Sequence, residues 1–345
     1  MSPPIFTIII SSLATGTIIT MTSYHWLMAW VGLEMNTLAI IPIISTTHHP
    51  RATEASTKYF LTQAAASALI LFSSMINAWH TGSWDITQML FTPSNTMLTM
   101  ALAMKLGLAP LHFWLPEVIQ GSTMLTAFII ITWQKLAPMS LIFLTMNNMS
   151  TTILLLMGML SSLIGGWGGL NQTQTRKIMA FSSIAHLGWM ATISSIVTNI
   201  LILNLILYLI MTTSMFVSLI ISKSKTIQNT AETWTLSPTL TIFILLSLLS
   251  LGGLPPLTGF IPKWLVMEEL ILQNFNFPAI LMAMSSLLSL FFYLRITYTT
   301  TLSLSPNTTQ MKFKWRFYPK TTTTLSSFTA TMTTLLLPLT PLMLL

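Results

Sequence analysis

From Met1 to Pro50 the chain holds one charged side chain, Glu34, and apolar runs of similar length, separated by short polar connections, continue to Leu345. About 20 apolar residues are what an α-helix needs to cross a bilayer. Read in this way, the chain has eleven spans, at 3–21, 25–45, 57–79, 96–113, 123–145, 150–170, 177–197, 200–221, 238–272 (interrupted), 277–299 and 323–344. The fold class is therefore an all-α polytopic membrane protein, a single membrane domain over 1–345 with no soluble domain. Charged residues are 6% of the chain and hydrophobic ones 53%, whereas a soluble globular domain is about 25% charged.

The few charges are sorted by side. Arg51 and Lys58 lie around the connection after the second span, Arg176 and Lys177 after the sixth, and Lys223 and Lys225 after the eighth. Arg295, Lys312, Lys314, Arg316 and Lys320 cluster around the connection after the tenth, while the alternate connections carry Asp85, Glu268 and Glu269 and no Lys or Arg. One miscounted span would scramble this segregation. The positive-inside rule then places the N-terminus on the cytoplasmic or matrix side and the C-terminus opposite. The formal charge of +7 is thus topological, and without a domain-sized basic patch interleaved with aromatics no nucleic-acid partner is expected. Zero Cys excludes a disulfide framework, a thiolate-held iron–sulfur cluster and a Cys-ligated metal, so any redox centre must belong to another chain. The opening MSPPIFTIII has neither the basic region of a secretory signal nor the Arg-rich pattern of a transit peptide. It is expected to begin the first span.

A decapeptide repeats within two apolar spans. Residues 107–116 read GLAPLHFWLP and residues 253–262 read GLPPLTGFIP. Proline removes a backbone donor and breaks a helix, and the freed carbonyls are tolerable in lipid only where they line protein or water. Isolated proline kinks are common in membrane helices, but two matching breaks, in the fourth and ninth spans, point to an internal repeat. An odd offset of spans inverts the second copy, the antiporter-like arrangement in which discontinuous helices build an ion path near the midplane. The halves are expected at about 25–145 and 150–299, with an extra helix at 323–344.

Four ionisable residues lie deep in spans: Glu34, Lys105, Lys135 and Lys263. A charge at the bilayer centre costs about 2.5–3.5 kcal/mol on insertion scales. Lysine stems can snorkel, but that suits a lysine near a helix end. Burial disfavours the charged form of either residue type, and an opposite charge nearby favours it, so a Glu and a Lys within reach form a device whose protonation follows their separation. Lysine suits this use because its proton affinity moves on burial, whereas arginine stays charged. A proton relay through Glu34, Lys105, Lys135 and Lys263 is therefore expected. His112, inside the first break, and His186, in the seventh span, are further relay candidates, each also readable as a packing histidine. Glu117 holds the repeat position of Lys263 and reads equally as a surface carboxylate or a channel-mouth group. His48 and His49 form no complete metal-ligand set, and GGWGGLNQTQ at 165–174 lacks a dinucleotide-binding spacing.

The segments WVGLE (30–34), ASTKYFLTQA (55–64), MKLGLAPLHFWLPEV (104–118), TWQKLAP (132–138), GGLNQTQTRKIMAFSSIAHLGWM (168–190) and LSLGGLPPLTGFIPKW (249–264) resemble the subunit 2 family of mitochondrial NADH:ubiquinone oxidoreductase, respiratory complex I, over essentially the whole chain. The resemblance implies an antiporter-like, proton-translocating subunit of the mitochondrial inner membrane, with Glu34, Lys105, Lys135 and Lys263 at the positions of the family's proton-channel residues. It implies no cofactor in this chain, with NAD, FMN, iron–sulfur clusters and ubiquinone in partner subunits. The partners would be other membrane and peripheral subunits of the complex, in a hetero-oligomer, and phospholipids. Indirect coupling follows: redox chemistry elsewhere would alternate Glu34 and Lys105 between close and separated states and move a proton toward Lys135 and Lys263. A stand-alone cation/proton antiporter would use the same fold, and a purely structural membrane subunit would not need the four deep charges.

Overall fold

The computed structural model describes residues 3–302 and 324–341. Among these residues the regular structure is helical, apart from two isolated bridges between loops. The first helices are α1 (Pro3–Thr22), α2 (Trp26–Ile44), α3 (Pro50–Thr81), α4 (Thr92–Leu106), α5 (Trp114–Gly121), α6 (Met124–Ile131) and α7 (Leu136–Thr145). They are followed by α8 (Thr151–Gly169), α9 (Thr175–Ile193), α10 (Thr198–Ser222), α11 (Ile227–Ala231), α12 (Thr233–Leu236), α13 (Pro238–Gly252), α14 (Phe260–Leu272), α15 (Asn276–Leu302) and α16 (Thr324–Leu335).

Among the described residues, seven segments are helical, long and apolar enough to cross a membrane: Pro3–Thr22, Trp26–Thr47, Pro50–Thr81, Met124–Asn148, Thr151–Gly169, Thr198–Ser222 and Asn276–Leu302. The other expected spans depart from a plain apolar helix for local reasons. α9 carries Arg176, Lys177, Ser182, Ser183 and His186. The fourth span is α4 and α5 around a break, and the ninth is α13 and α14 around another. The last is α16 and a 3₁₀ turn at Leu337–Leu339 beside Pro338, with its remaining residues and Lys312, Lys314, Arg316 and Lys320 outside the described residues. α3 begins at Pro50 rather than near residue 57, because His49 caps it by accepting from the Arg51 N–H and Pro50 needs no intrahelical donor in the first turn.

The fifth span is interrupted where the sequence reads as continuous. Pro138 has no N–H to give the Gln134 carbonyl, and its ring crowds that carbonyl. The helix therefore stops at Ile131, a 3₁₀ turn covers Trp133–Lys135, closed by the Leu136 N–H on the Trp133 carbonyl, and α7 resumes at Leu136.

The chain packs as two compact units, one of residues 1–164 with 183–198 and one of residues 165–182 with 199–345. In the first, α1 lies against α2, α2 against α3, and α3 against both α4 and α5. Gly16 and Gly32 let α1 and α2 approach so closely that a Cβ on Gly32 would sit 2.8 Å from the Gly16 carbonyl oxygen. Lipid tails supply no hydrophobic drive for helix association, so this small-residue contact does the packing. Trp26, Ile40, Ile44, Tyr59 and Ile70 fill the core of this unit. In the second, α13 packs on α15 and α16, with Tyr208, Phe216, Phe292 and Tyr293 buried.

Loop contacts within each unit follow the charge pattern. In the first unit the connection after α1 pairs with that after α3, through His25 and Asp85, and Asn148 after α7 donates to the Thr87 carbonyl at 2.7 Å. In the second unit the connections after α8 and α10 meet, Gln174 opposite Thr226, and the Arg295 guanidinium donates to the Leu170 and Gln172 carbonyls. In the second unit two basic connections thus meet, and in the first the connection that carries Asp85 meets two that carry no Lys or Arg.

Candidate functional site

The two decapeptides produce two helix breaks that open with the same glycine conformation. α4 ends at Gly107 with φ 80 and ψ 40, and α13 ends at Gly253 with φ 80 and ψ 42. This left-handed conformation favours glycine because a Cβ would meet the following carbonyl oxygen. In both copies the next N–H reaches back to close the helix end, Leu108 to Ala103 O at 2.9 Å and Leu254 to Leu249 O at 3.4 Å. A Schellman-type ending satisfies part of the carbonyl row, and side chains supply more. Trp114 Nε1 donates to Met104 O at 3.2 Å, Gln63 Nε2 to Lys105 O at 3.4 Å, and Lys263 Nζ to Gly252 O at 2.8 Å.

Lys105 stands in the last turn of α4, where the helix dipole favours a cation. It is 6% exposed and its Nζ has no hydrogen-bond partner. Lys135, 5% exposed, lies in the 3₁₀ turn that Pro138 imposes on the fifth span. The two lysines line one cavity of about 20 Å³, room for a single water molecule. Tyr59, Gln63, Asn36, Thr37 and Gln134 add polar atoms to its wall, and Leu33, Leu106, Trp114, Ile130 and Pro138 close it with apolar surface.

Glu34, half-buried on α2, is one residue along the chain from the cavity-lining Leu33. Its Oε2 is buried without a hydrogen-bond partner. Glu34 forms no ion pair with Lys105. An uncompensated buried charge is costly, and only a close partner with good geometry offsets it. Glu34 and Lys105 therefore have an incentive to meet and sit apart.

Lys263 belongs to the second unit. It opens α14 just after Pro262, and the bond to the Gly252 carbonyl takes its ammonium away from the positive end of α14 to the negative end of α13. A Cβ on Gly253 would lie 2.9 Å from both Cδ and Nζ of Lys263, so that glycine serves the turn and the lysine together.

The remaining candidates sit elsewhere. His112 is buried in the turn of the first break, its ring 4.3 Å from that of Phe113, and His186 is buried on α9; neither lines the cavity. Glu117 is a surface carboxylate, its side chain 54% exposed, and Lys58 bridges it at 2.6 Å and Glu54 at 2.5 Å. His49 caps α3. No group of three metal-ligating side chains occurs among the described residues. Sequence reasoning passed over Tyr59 and Gln134, which share the cavity wall. Gln134 could have been noticed as a polar residue beside Lys135 and four before Pro138.

Broken helices with deep, sparsely paired charges at the breaks define a polytopic membrane protein of the antiporter-like class. Residues 23–289 match the family described as NADH:quinone oxidoreductase/Mrp antiporter, TM, and residues 290–344 match NADH dehydrogenase subunit 2 C-terminus. The chain belongs to this NADH:quinone oxidoreductase/Mrp antiporter membrane family. It is 57% identical over 343 residues to NADH-ubiquinone oxidoreductase chain 2 of Varanus timorensis, covering 99% of each chain. It is 53% identical over 342 residues to the protein of that name from Xenopus laevis, again over 99% of each. Among solved structures it matches respiratory complex I from Thermus thermophilus with bound aureothin, with a TM-score of 0.86 and 25% identity over 99% of this chain and 79% of that one. The Mrp complex from Dietzia sp. shares the fold, with a TM-score of 0.79 at 17% identity over 87% of this chain and 61% of that one.

Proposed function

We propose that this chain is a proton-translocating membrane subunit of NADH:ubiquinone oxidoreductase in the mitochondrial inner membrane, carrying protons while electron transfer runs in partner subunits. NAD, FMN, iron–sulfur clusters and ubiquinone belong to those partners; a chain with no Cys offers no thiolate for a cluster. The observation that carries the reading is the cavity shared by Lys105 and Lys135, with Lys105 Nζ and Glu34 Oε2 both buried and not paired to each other. A change in the partner subunits moves Glu34 toward or away from Lys105, which changes the affinity of Lys105 for its proton. When Lys105 releases the proton, the amine of Lys135 takes it up, and Lys263 at the second break serves the following stage. His112 and His186 are the candidates for the links into and out of this sequence. Packing among other subunits of the complex, with phospholipid on the remaining apolar surface, completes the environment of the chain. The N-terminus faces the matrix and the C-terminus the intermembrane space, a reading supported by the gathering of Arg176, Lys177, Lys223, Lys225 and Arg295 on meeting connections.

The test is replacement of Lys105 or Lys263 by Met in the intact complex, reconstituted in vesicles. Proton pumping and quinone reductase turnover should fall together by on the order of tenfold or more, with assembly intact on native gels. Full pumping by both variants would sink the proposal.

A further inference from the structure

Lys105 and Lys135 face one cavity, yet Lys105 Nζ meets no acceptor there. A proton passing between them needs an oriented polar group on the way. Two uncharged side chains on the wall have the geometry. Tyr59 of α3 is 1% exposed, and its hydroxyl donates to Gln134 Oε1 at 3.4 Å. Gln134, next to Lys135 in the 3₁₀ turn, uses its other end on α2, donating from Nε2 to the Asn36 carbonyl at 3.4 Å.

These two contacts set the amide's direction, because its nitrogen can only donate and its oxygen only accept. With its proton held by Gln134, the Tyr59 hydroxyl keeps its lone pairs for the cavity, where an ammonium or a water can donate to them. The contact is long for an O–H···O bond, whose ordinary range ends near about 3.0 Å, so the hydroxyl can turn off Gln134 easily.

We infer that the Tyr59 hydroxyl passes the proton between Lys105 and Lys135 and that Gln134 is the positioning residue that orients it; the inference rests on the relay reading above. A proton leaving the Lys105 ammonium is accepted on a lone pair of the Tyr59 oxygen, directly or through one water, as the hydroxyl's own proton swings off Gln134 toward the neutral Lys135 amine. Lys105 ends as an amine and Lys135 as an ammonium. Tyr59 and Gln134 are unchanged after the hydroxyl turns back.

The experiment compares Tyr59→Phe, Gln134→Met and Lys105→Met in the intact complex in vesicles. It follows coupled turnover, its pH profile, the solvent deuterium isotope effect and assembly. Tyr59→Phe keeps the buried ring and removes the hydroxyl, so assembly should be normal while turnover falls roughly tenfold, the isotope effect rises and the pH profile moves. Gln134→Met should act in the same direction and decides the matter if Tyr59→Phe fails to assemble. Loss of turnover with an unmoved isotope effect and pH profile marks a packing role and overturns the inference. So does wild-type behaviour of Tyr59→Phe beside an inactive Lys105→Met, which leaves the relay standing. Wild-type pumping by Lys105→Met overturns the relay itself.

Discussion

In the proposed relay the carboxylate of Glu34 is the switch of the first unit, and its buried Oε2 has no hydrogen-bond partner among the described residues. Glu34→Gln removes that charge with little change of volume. Quinone reductase turnover in the intact complex should drop several-fold while the assembled amount stays constant; a silent variant would support a merely structural charge. Lys263 offers a different lever, since its stem lies over Gly253. Gly253→Ala forces a non-glycine residue into a left-handed conformation at about 1–2 kcal/mol and drives a methyl group against the lysine. Turnover should fall together with thermal stability of the complex, whereas Lys263→Met should lower turnover alone. The depth of the four charges was legible from their distance to the loops. Their company was not: nothing in the local sequence tells that Lys105 has no partner, that Lys263 bonds a carbonyl eleven residues back, or that Glu117 is taken by Lys58.

At the scale of elements, the breaks and close approaches are what position these side chains. Pro138 interrupts the fifth span and turns Gln134 and Lys135 onto the cavity wall. Pro138→Ala returns an N–H to the Gln134 carbonyl and removes the ring clash, worth about 3 kcal/mol in a helix interior. The variant should make the complex no less stable to heat and yet slower in turnover, since a straightened helix carries Lys135 away from Lys105. An unchanged rate would show that the 3₁₀ turn has no part in positioning the lysine. The α1–α2 contact predicts the opposite pattern. Gly16→Leu places a large side chain where even a Cβ would lie 3.0 Å from the Gly32 carbonyl oxygen, so the amount of assembled complex should fall, with normal turnover in whatever assembles. The two decapeptide breaks were readable because Gly and Pro act locally. The third was not, because a lone Pro in an apolar span is as often absorbed as a kink.

For the whole molecule, the sorting of charge and the absence of Cys make sidedness measurable. Thr173→Cys, in the connection after α8, and Thr87→Cys, in that after α3, should react with a membrane-impermeant maleimide from opposite faces of sealed inner-membrane vesicles, the former from the matrix side. Labelling of both from one face would invalidate the topology. Gentle detergent extraction should recover the chain only in a large redox-active assembly, because Ile8, Phe72, Phe277 and Phe291 among many others leave apolar surface uncovered that lipid and neighbouring subunits must share. A chain that transports by itself after purification would mark a free-standing antiporter instead.

The sequence by itself determined the membrane class, the all-helical architecture and the two repeated breaks. All of these follow from hydropathy, charge and backbone chemistry acting within about one helix length. Only the tertiary structure decided which deep charges keep company. Lys105 and Lys135 are thirty residues apart along the chain and share a cavity because α2, α3, α4 and the fifth span's 3₁₀ turn converge on it. Proximity of that kind depends on how helices pack, and helix packing is set by side chains whose partners lie far away in sequence.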